Sequence, residues 1–528
     1  MSFPVSPVAV VKGSQVQILS SRHMRALEHT TPRPSGRYAG TCQSRGELAA
    51  GASRGHGDVS GGAPNRNRSG AMTHVTPYTL ESFAATAQRE DQQGRTIGRR
   101  DADVRAANRA LSNRRKKYTT DLAALAADDP SRSNIRGVYR SERDDLRKRR
   151  DHAVRVFLDR TLADFETRFT SDEPFYELVL GPTMAGKPTY QMTDEPSVRF
   201  AARDAARCVR ELADAEVPSR NSVVRALKTA LGKSYLHAIV KLDISSFFES
   251  IPHRELLRRA SALDSITTEL LQRLLNEYSD IAGVSEGLPR GVGLSSQLAE
   301  LYLADLDLFL MGQPGVLFYA RYVDDVVLVL DSDHSRQALT HTVEQQLALL
   351  KLQLNDAKVS NFVTDNKGNY PPGQSVEYLG YSFTRTSGRL VTGLTSKRRA
   401  RRADRLELSF EAWLGKLPNP IWPNHGANGL LIDRVRFLAG NTRLVNSKSN
   451  VAIGLYFSNS ALDPDSQELK DLDSQLGDLM LKYGAKMTAQ MRERMEEISF
   501  TLWFEKKTFI RFKAARVKQI VKVWEAGA

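Results

Sequence analysis

The 528-residue chain carries 75 Lys and Arg against 61 Asp and Glu, a formal net charge of +14. That length can bury a large core divided among roughly two to four structural units, and the charge points to a polyanionic partner. The two cysteines, Cys42 and Cys208, have no His or Cys at ligand spacing, which excludes a disulfide framework and a zinc site, and no apolar run reaches the length of a membrane span.

Residues 1–71 mix Gly, Ser, Arg and Pro without helical or strand period, as in Pro32-Arg33-Pro34-Ser35-Gly36-Arg37. Such a segment cannot bury enough apolar surface to offset its ordering entropy, so disorder is expected. Periodic sequence begins just after Met72, leaving two readings open: a flexible basic arm, or a start at Met72 with an over-extended reading frame before it. Residues 72–169 read as a helical, highly charged region with basic clusters at Arg114-Arg115-Lys116-Lys117 and Arg147-Lys148-Arg149-Arg150. A solvated helix face explains such clusters as well as contact with phosphates does.

Beyond them, Phe175-Tyr176-Glu177-Leu178-Val179-Leu180 reads as a strand, and helical patterns cover residues 197–213 and 222–231. The next apolar strand, Ala238-Ile239-Val240-Lys241-Leu242-Asp243-Ile244, ends on a carboxylate. A Gly/Pro loop, Gly287-Leu288-Pro289-Arg290-Gly291-Val292-Gly293, then opens a periodic segment over 297–309. Residues 317–330 place the adjacent carboxylates of Tyr322-Val323-Asp324-Asp325 inside a β-branched and aromatic run that reads as a hairpin. Burying an unpaired carboxylate costs several kcal/mol, so such a pair belongs at an exposed turn, beside a basic partner, or on a cation. Leu352-Gln353-Leu354-Asn355-Asp356-Ala357-Lys358 and Glu377-Tyr378-Leu379-Gly380-Tyr381 follow, and a run of arginines from Arg398 opens a helical region that reaches the carboxy terminus.

The order of these motifs resembles the palm of reverse transcriptases: motif A at Asp243, motif B at residues 289–296, motif C at residues 322–325, motif D at 352–358 and motif E at 377–381. The resemblance implies an α+β right-hand polymerase, with fingers and an antiparallel palm over 170–395 and a helical thumb with an extension over 396–528. It implies RNA-directed DNA synthesis from dNTPs, with Asp243 and Asp324 bridging two Mg²⁺ ions (Mn²⁺ as a substitute), Asp325 assisting and the Ile244 carbonyl contributing. Hard oxygen ligands suit such ions, one activating the attacking hydroxyl and one stabilising the leaving pyrophosphate. Phe248 would lie beneath the nucleotide sugar and exclude a 2′-hydroxyl, while Phe247 is expected in the core. Gly291, Lys358, Lys187 and Arg199 are the remaining nucleotide-binding candidates, together with Arg290, which replaces the glutamine usual in motif B. Tyr378, Leu379 and Gly380 would form the primer grip, and Arg398, Arg399, Arg401 and Arg402 would hold the nucleic-acid backbone.

With no nuclease or integrase signature recognised in it, the chain is similar to the bacterial defence-associated, abortive-infection and unknown-group enzymes. That similarity implies an antiphage protein with a DNA product and either a second copy of itself or a defence protein as partner; the sparse cysteines and lack of a membrane-length run lead us to expect a cytoplasmic location, and the flanking basic clusters a dedicated non-coding RNA template. Two alternatives stay open: a template-independent or protein-primed polymerase on the same fold, suggested by Arg290, and a catalytically idle RNA-binding scaffold.

Overall fold

The computed structural model describes residues 8–12, 15–19, 75–94, 97–184, 186–214, 219–415, 426–443 and 451–525. Within the segment expected to be disordered, β1 (Val8–Lys12) and β2 (Gln15–Leu19) form an antiparallel hairpin. The rest of residues 1–71 lies outside the described residues.

The first helix, α1 (Leu80–Gln92), starts on a reciprocal capping box between Thr79 and Ser82, which satisfies two otherwise free amide donors. An antiparallel pair follows, α2 (Ala102–Ala123) and the 40-residue α3 (Ser131–Thr170), about 60 Å long at 1.5 Å per residue. The buried residues of α3, Phe157, Leu158, Thr161 and Phe165, all lie in its last third, while Val104 alone is buried on α2. The distal part of this arm is held by polar and aromatic contacts. Tyr118 and Tyr139 stack with centroids 4.0 Å apart, Arg114 covers Tyr139 and pairs with Glu142, and Arg132 Nη1 donates to the carbonyls of Leu122 and Leu125.

Two short strands, β3 (Val179–Leu180) and β4 (Tyr190–Gln191), and two helices, α4 (Pro196–Leu212) and α5 (Arg220–Leu231), lead to the central sheet. Besides β1 and β2, its strands are β5 (Ala238–Asp243), β6 (Val316–Tyr322), β7 (Asp325–Leu330) and β8 (Ser360–Val363), in the order β2-β1-β6-β7-β5-β8. Every pairing is antiparallel except β1 beside β6, where Ala9 and Val10 run parallel to Phe318 and Tyr319. Three helices connect β5 to β6, namely α6 (His253–Arg259), α7 (Ser265–Ala282) and α8 (Gly293–Met311), and α9 (Asp333–Leu349) connects β7 to β8.

The sheet is buried on both faces, which is why its strands read as unbroken apolar runs rather than alternating ones. Val240, Leu242, Val326 and Leu328 join the core that contains α4, α7 and α8, whereas Ile239, Val327 and Val329 point into a second core. That second core is shared with α5, with the small antiparallel sheet β9 (Val376–Tyr378), β10 (Tyr381–Thr386) and β11 (Arg389–Leu394), and with α10 (Ser396–Trp413). The remaining elements are α11 (Asn428–Ala439), the paired strands β12 (Asn441–Arg443) and β13 (Ala452–Gly454), α12 (Gln467–Tyr483), α13 (Ala489–Glu496), α14 (Phe500–Glu505) and α15 (Ala514–Glu525). Helices thus mix with antiparallel sheets, the α+β class expected. No helix among the described residues is long and apolar enough to cross a membrane.

Candidate active site

Strand register brings the carboxylates together. Asp243, the last residue of β5, is the cross-strand partner of Asp325, the first residue of β7. Because Tyr322 also pairs with Asp325, β6 and β7 are joined by a two-residue turn made of Val323 and Asp324. Val323 has φ +62°, a region that β-branched residues avoid at a cost on the order of 1–3 kcal/mol. Two hydrogen bonds hold the strained turn: Arg321 Nη1 donates to the Val323 carbonyl at 2.8 Å, and the Ile244 amide donates to the Asp324 carbonyl at 3.3 Å. Arg321 is itself fixed by Glu300 and Asp307 of α8, both reached by Nη2 at 2.6 Å. Tyr319 completes the set by donating its hydroxyl to Asp307 at 2.5 Å.

Burial lifts the Asp325 carboxyl to about 6, Lys241 opposes the shift, and Asp243 and Asp324 add to it. Burial also raises Asp324, with Asp243 contributing. Cations already answer part of this negative charge. Lys358 Nζ lies 3.2 and 3.0 Å from the two Asp243 oxygens, and Asn355 Nδ2 donates to Asp243 Oδ2 at 3.1 Å. Lys241 Nζ stands 3.7 Å from Asp325 Oδ1, which is buried without a hydrogen-bond partner.

These residues suit a divalent ion in donor chemistry, since Asp243 and Asp325 face one another, Asp324 lies in the adjoining turn, and the buried Asp325 Oδ1 has no hydrogen-bond partner. They do not form a ready cage: among the described residues no three acidic, His or Cys side chains stand together as a metal site, and Lys358 covers the Asp243 oxygens. Asp243, Asp324 and Asp325 would hold the ion once the flexible, largely exposed Lys358 side chain moved away.

A few residues after Asp243, a short 3₁₀ turn over Phe247–Glu249 follows Ser246, whose φ is +43°. Phe247 is fully buried and Phe248 partly so. Arg290 donates to both oxygens of Glu249, and the Lys187 ammonium lies 3.7 Å from the same carboxylate. Gly291 has φ +95°, and a Cβ there would meet the Tyr190 carbonyl at 2.8 Å, so only glycine permits this approach. Arg199 corrects an expectation: it is buried in α4, donates to both oxygens of Glu90 and to Asp194, and so braces α1 instead of facing the cleft.

The primer-grip candidates form the β9–β10 turn, with Leu379 at φ +48° and Gly380 at φ +79°. Tyr378 donates its hydroxyl to the Asp325 carbonyl at 3.0 Å, and Arg220 holds the turn by donating to the Leu379 carbonyl at 2.9 and 2.6 Å. The Arg398 side chain lies where a Cβ on Gly380 would project. Arg399 and Arg401 are exposed on α10, whereas burial, reinforced by Arg398 and Arg405, lowers the Arg402 guanidinium to about 10.

Sequence reasoning passed over Lys241, Arg321, Asn355, Glu249 and Arg220. Lys241 and Arg321 did carry a signal, each a single charge inside a buried strand and two or three residues before a carboxylate. Arg220 carried none, because its partner Leu379 is 159 residues away.

The reverse transcriptase (RNA-dependent DNA polymerase) family profile matches residues 203–383, a segment that holds all three aspartates. No curated protein matches the chain. Among solved structures, a Candida tropicalis apo telomerase truncated from its C-terminal domain aligns at 9% identity and TM-score 0.33, over 45% of this chain and 60% of that one. Telomerase from Candida albicans in complex with a TWJ fragment of telomeric RNA aligns at 12% identity and TM-score 0.32, over 68% and 67%. Apo telomerase from Candida tropicalis aligns at 9% and 0.33, over 70% and 69%. Residues 203–383 thus form a domain of the reverse transcriptase type.

Proposed function

We propose that the protein is an RNA-directed DNA polymerase that extends a primer with dNTPs on an RNA template by two-metal nucleotidyl transfer. The observation that carries this reading is the register pairing of Asp243 with Asp325 beside the Asp324 turn, within the segment matched by the reverse transcriptase profile. Divalent ions, Mg²⁺ by preference, supply the activation of the attacking hydroxyl and the stabilisation of the leaving pyrophosphate. The protein's own residues do the positioning. The strained turn aims Asp324, Tyr378 ties the primer-grip turn to the backbone of Asp325, and Phe248 takes the place beneath the sugar. Lys358 neutralises Asp243 while no substrate is present and lies within a side chain's swing of an incoming phosphate.

The RNA partner is supported by the +14 charge, by exposed Arg115, Lys116, Lys117, Arg136 and Arg140 on the arm, and by Arg399 and Arg401 on α10. A dedicated non-coding RNA would account for basic surface this far from the carboxylates. The template-independent alternative rested on Arg290, whose guanidinium is engaged by Glu249, so templated synthesis is the stronger reading. The idle scaffold is disfavoured by the clustering of three carboxylates, which a scaffold does not need. Antiphage defence in a bacterial cytoplasm is the biological role we assign, on the resemblance of the motif set to defence-associated enzymes.

The test is primer extension with purified protein, Mg²⁺ and dNTPs, with and without an RNA template, together with sequencing of the nucleic acid that copurifies. Template-complementary DNA and one enriched RNA are expected. Incorporation that ignores the template would transfer the assignment to the template-independent reading.

A further inference from the structure

Arg290 interlocks three segments that the sequence keeps apart. Its Nε donates to Glu249 Oε1 at 2.6 Å and its Nη2 to Glu249 Oε2 at 3.0 Å, a forked pairing that fixes the plane of the guanidinium. In that plane its Cζ stands 5.0 Å from the centroid of the Phe248 ring. Phe247 supports the same ring from the core side, edge to face at 5.7 Å. Backbones close the arrangement: the Leu288 amide donates to the Phe248 carbonyl at 2.7 Å, and the Tyr190 amide donates to the Arg290 carbonyl at 2.6 Å. At Gly287 a Cβ would stand 3.0 to 3.1 Å from backbone atoms of Phe248 and Glu249, so the loop and the 3₁₀ turn pack main chain to main chain.

We propose that Arg290 is a positioning residue for sugar selection: clamped by Glu249, it holds the Phe248 ring at the height where the ring meets C2′ of an incoming nucleotide. The inference rests on the reading of Phe248 as the sugar gate. Rejecting one hydroxyl by steric exclusion requires the excluding ring to be fixed within about 0.5 Å. Phe248 sits on a short turn entered through a left-handed Ser246 and is only partly buried, so packing from one side leaves it free to tilt. Arg290 supplies the second wall. A lysine would keep the charge but lose both the fork and the flat face.

The experiment compares the ratio of dNTP to rNTP incorporation efficiency in the full-length wild type, Phe248→Ala, Arg290→Gln, Arg290→Lys, the charge swap Glu249→Arg with Arg290→Glu, and Phe248→Ala with Arg290→Gln, each checked by thermal melting. Phe248→Ala should abolish the discrimination. Arg290→Gln should lower it about tenfold by raising rNTP efficiency, Arg290→Lys should lower it similarly, and the charge swap should recover part of it. The Phe248→Ala double variant should match Phe248→Ala alone, since Arg290 acts through the ring. A merely structural role for Arg290 would depress both sugars equally and leave the ratio unchanged, which overturns the proposal. A ratio unmoved by Phe248→Ala but reduced by Arg290→Gln would instead sink the gate reading and give Arg290 a direct nucleotide contact.

Discussion

Asp243 and Asp325 are cross-strand partners at the last paired position of β5 and β7, two carboxylates directly opposite one another at the end of a buried sheet. Like charges opposite one another destabilise a strand pair. Lys358 and Lys241 stand beside the pair and offset this repulsion.

Replacing Asp324 and Asp325 together by Asn should abolish nucleotide incorporation, because the metal-binding charge is lost, while RNA binding and folding survive. Primer extension and filter binding on the same preparation check this. Undiminished incorporation would remove the catalytic assignment.

Stability should depend on pH through the same residues. The Asp325 carboxyl, lifted by burial to about 6, holds a proton in the folded protein at pH values where the unfolded chain has lost it. Between roughly pH 4 and 6 the folded state binds more protons, so stability falls as pH rises through that window. Melting temperature without metal should be higher at pH 5 than at pH 7, and Asp325→Asn should flatten the slope and raise stability at pH 7 by on the order of 2 kcal/mol. Incorporation should run the other way and increase through pH 6, as the carboxylates must be charged to hold a cation. Melts that change identically with pH in the variant and the wild type would show that Asp325 is not the titrating group.

Arg321→Met should destabilise the fold by about 3–5 kcal/mol, since it leaves Glu300 and Asp307 charged, mostly buried and without their cation. It also frees the Val323 carbonyl, so residual activity should fall further than thermal unfolding at the assay temperature explains. A variant as active as the wild type would show that the turn holds itself.

Reversing charge at the exposed Arg399 and Arg401 should weaken RNA retention and flatten its dependence on salt, because each lost phosphate contact removes a released counterion. The same reversal at Arg115, Lys116 and Lys117 tests the arm separately. Titrations across a salt series decide it: a slope equal to that of the wild type would place the RNA elsewhere.

The carboxylate site was legible from the chain because its signal is local: charge inside β-branched runs, in an order that resembles known palms. The strands around it were legible for the same reason, since burial on both faces writes itself as uninterrupted apolar sequence. What surrounds the carboxylates was not, because its partners are distant in sequence. Arg199 looked like a cation for the triphosphate until its bidentate pairing with Glu90 on α1 placed it in the interior. Arg290 read as a nucleotide contact, and only the fold shows Glu249 answering it. The hairpin of β1 and β2 was passed over although β1 is rich in valine and Gln15-Val16-Gln17-Ile18 alternates polar and apolar residues, and it joins the sheet through two residues of β1.

The order in which the sheet is laid down has a consequence for synthesis of the protein. The strands that carry the aspartates, β5 and β7, are separated by three helices, and the residues that neutralise and flank Asp243, namely Asn355 and Lys358, follow still later, just before β8 pairs with the outer edge of β5. A nascent chain halted before residue 355 would hold all three carboxylates and neither Asn355 nor Lys358. Because pairing across long sequence separations is slow, the ribosome-bound protein should pass through an interval in which β5 has an open edge and an acidic end. That edge closes only when residues 360–363 emerge and pair with β5.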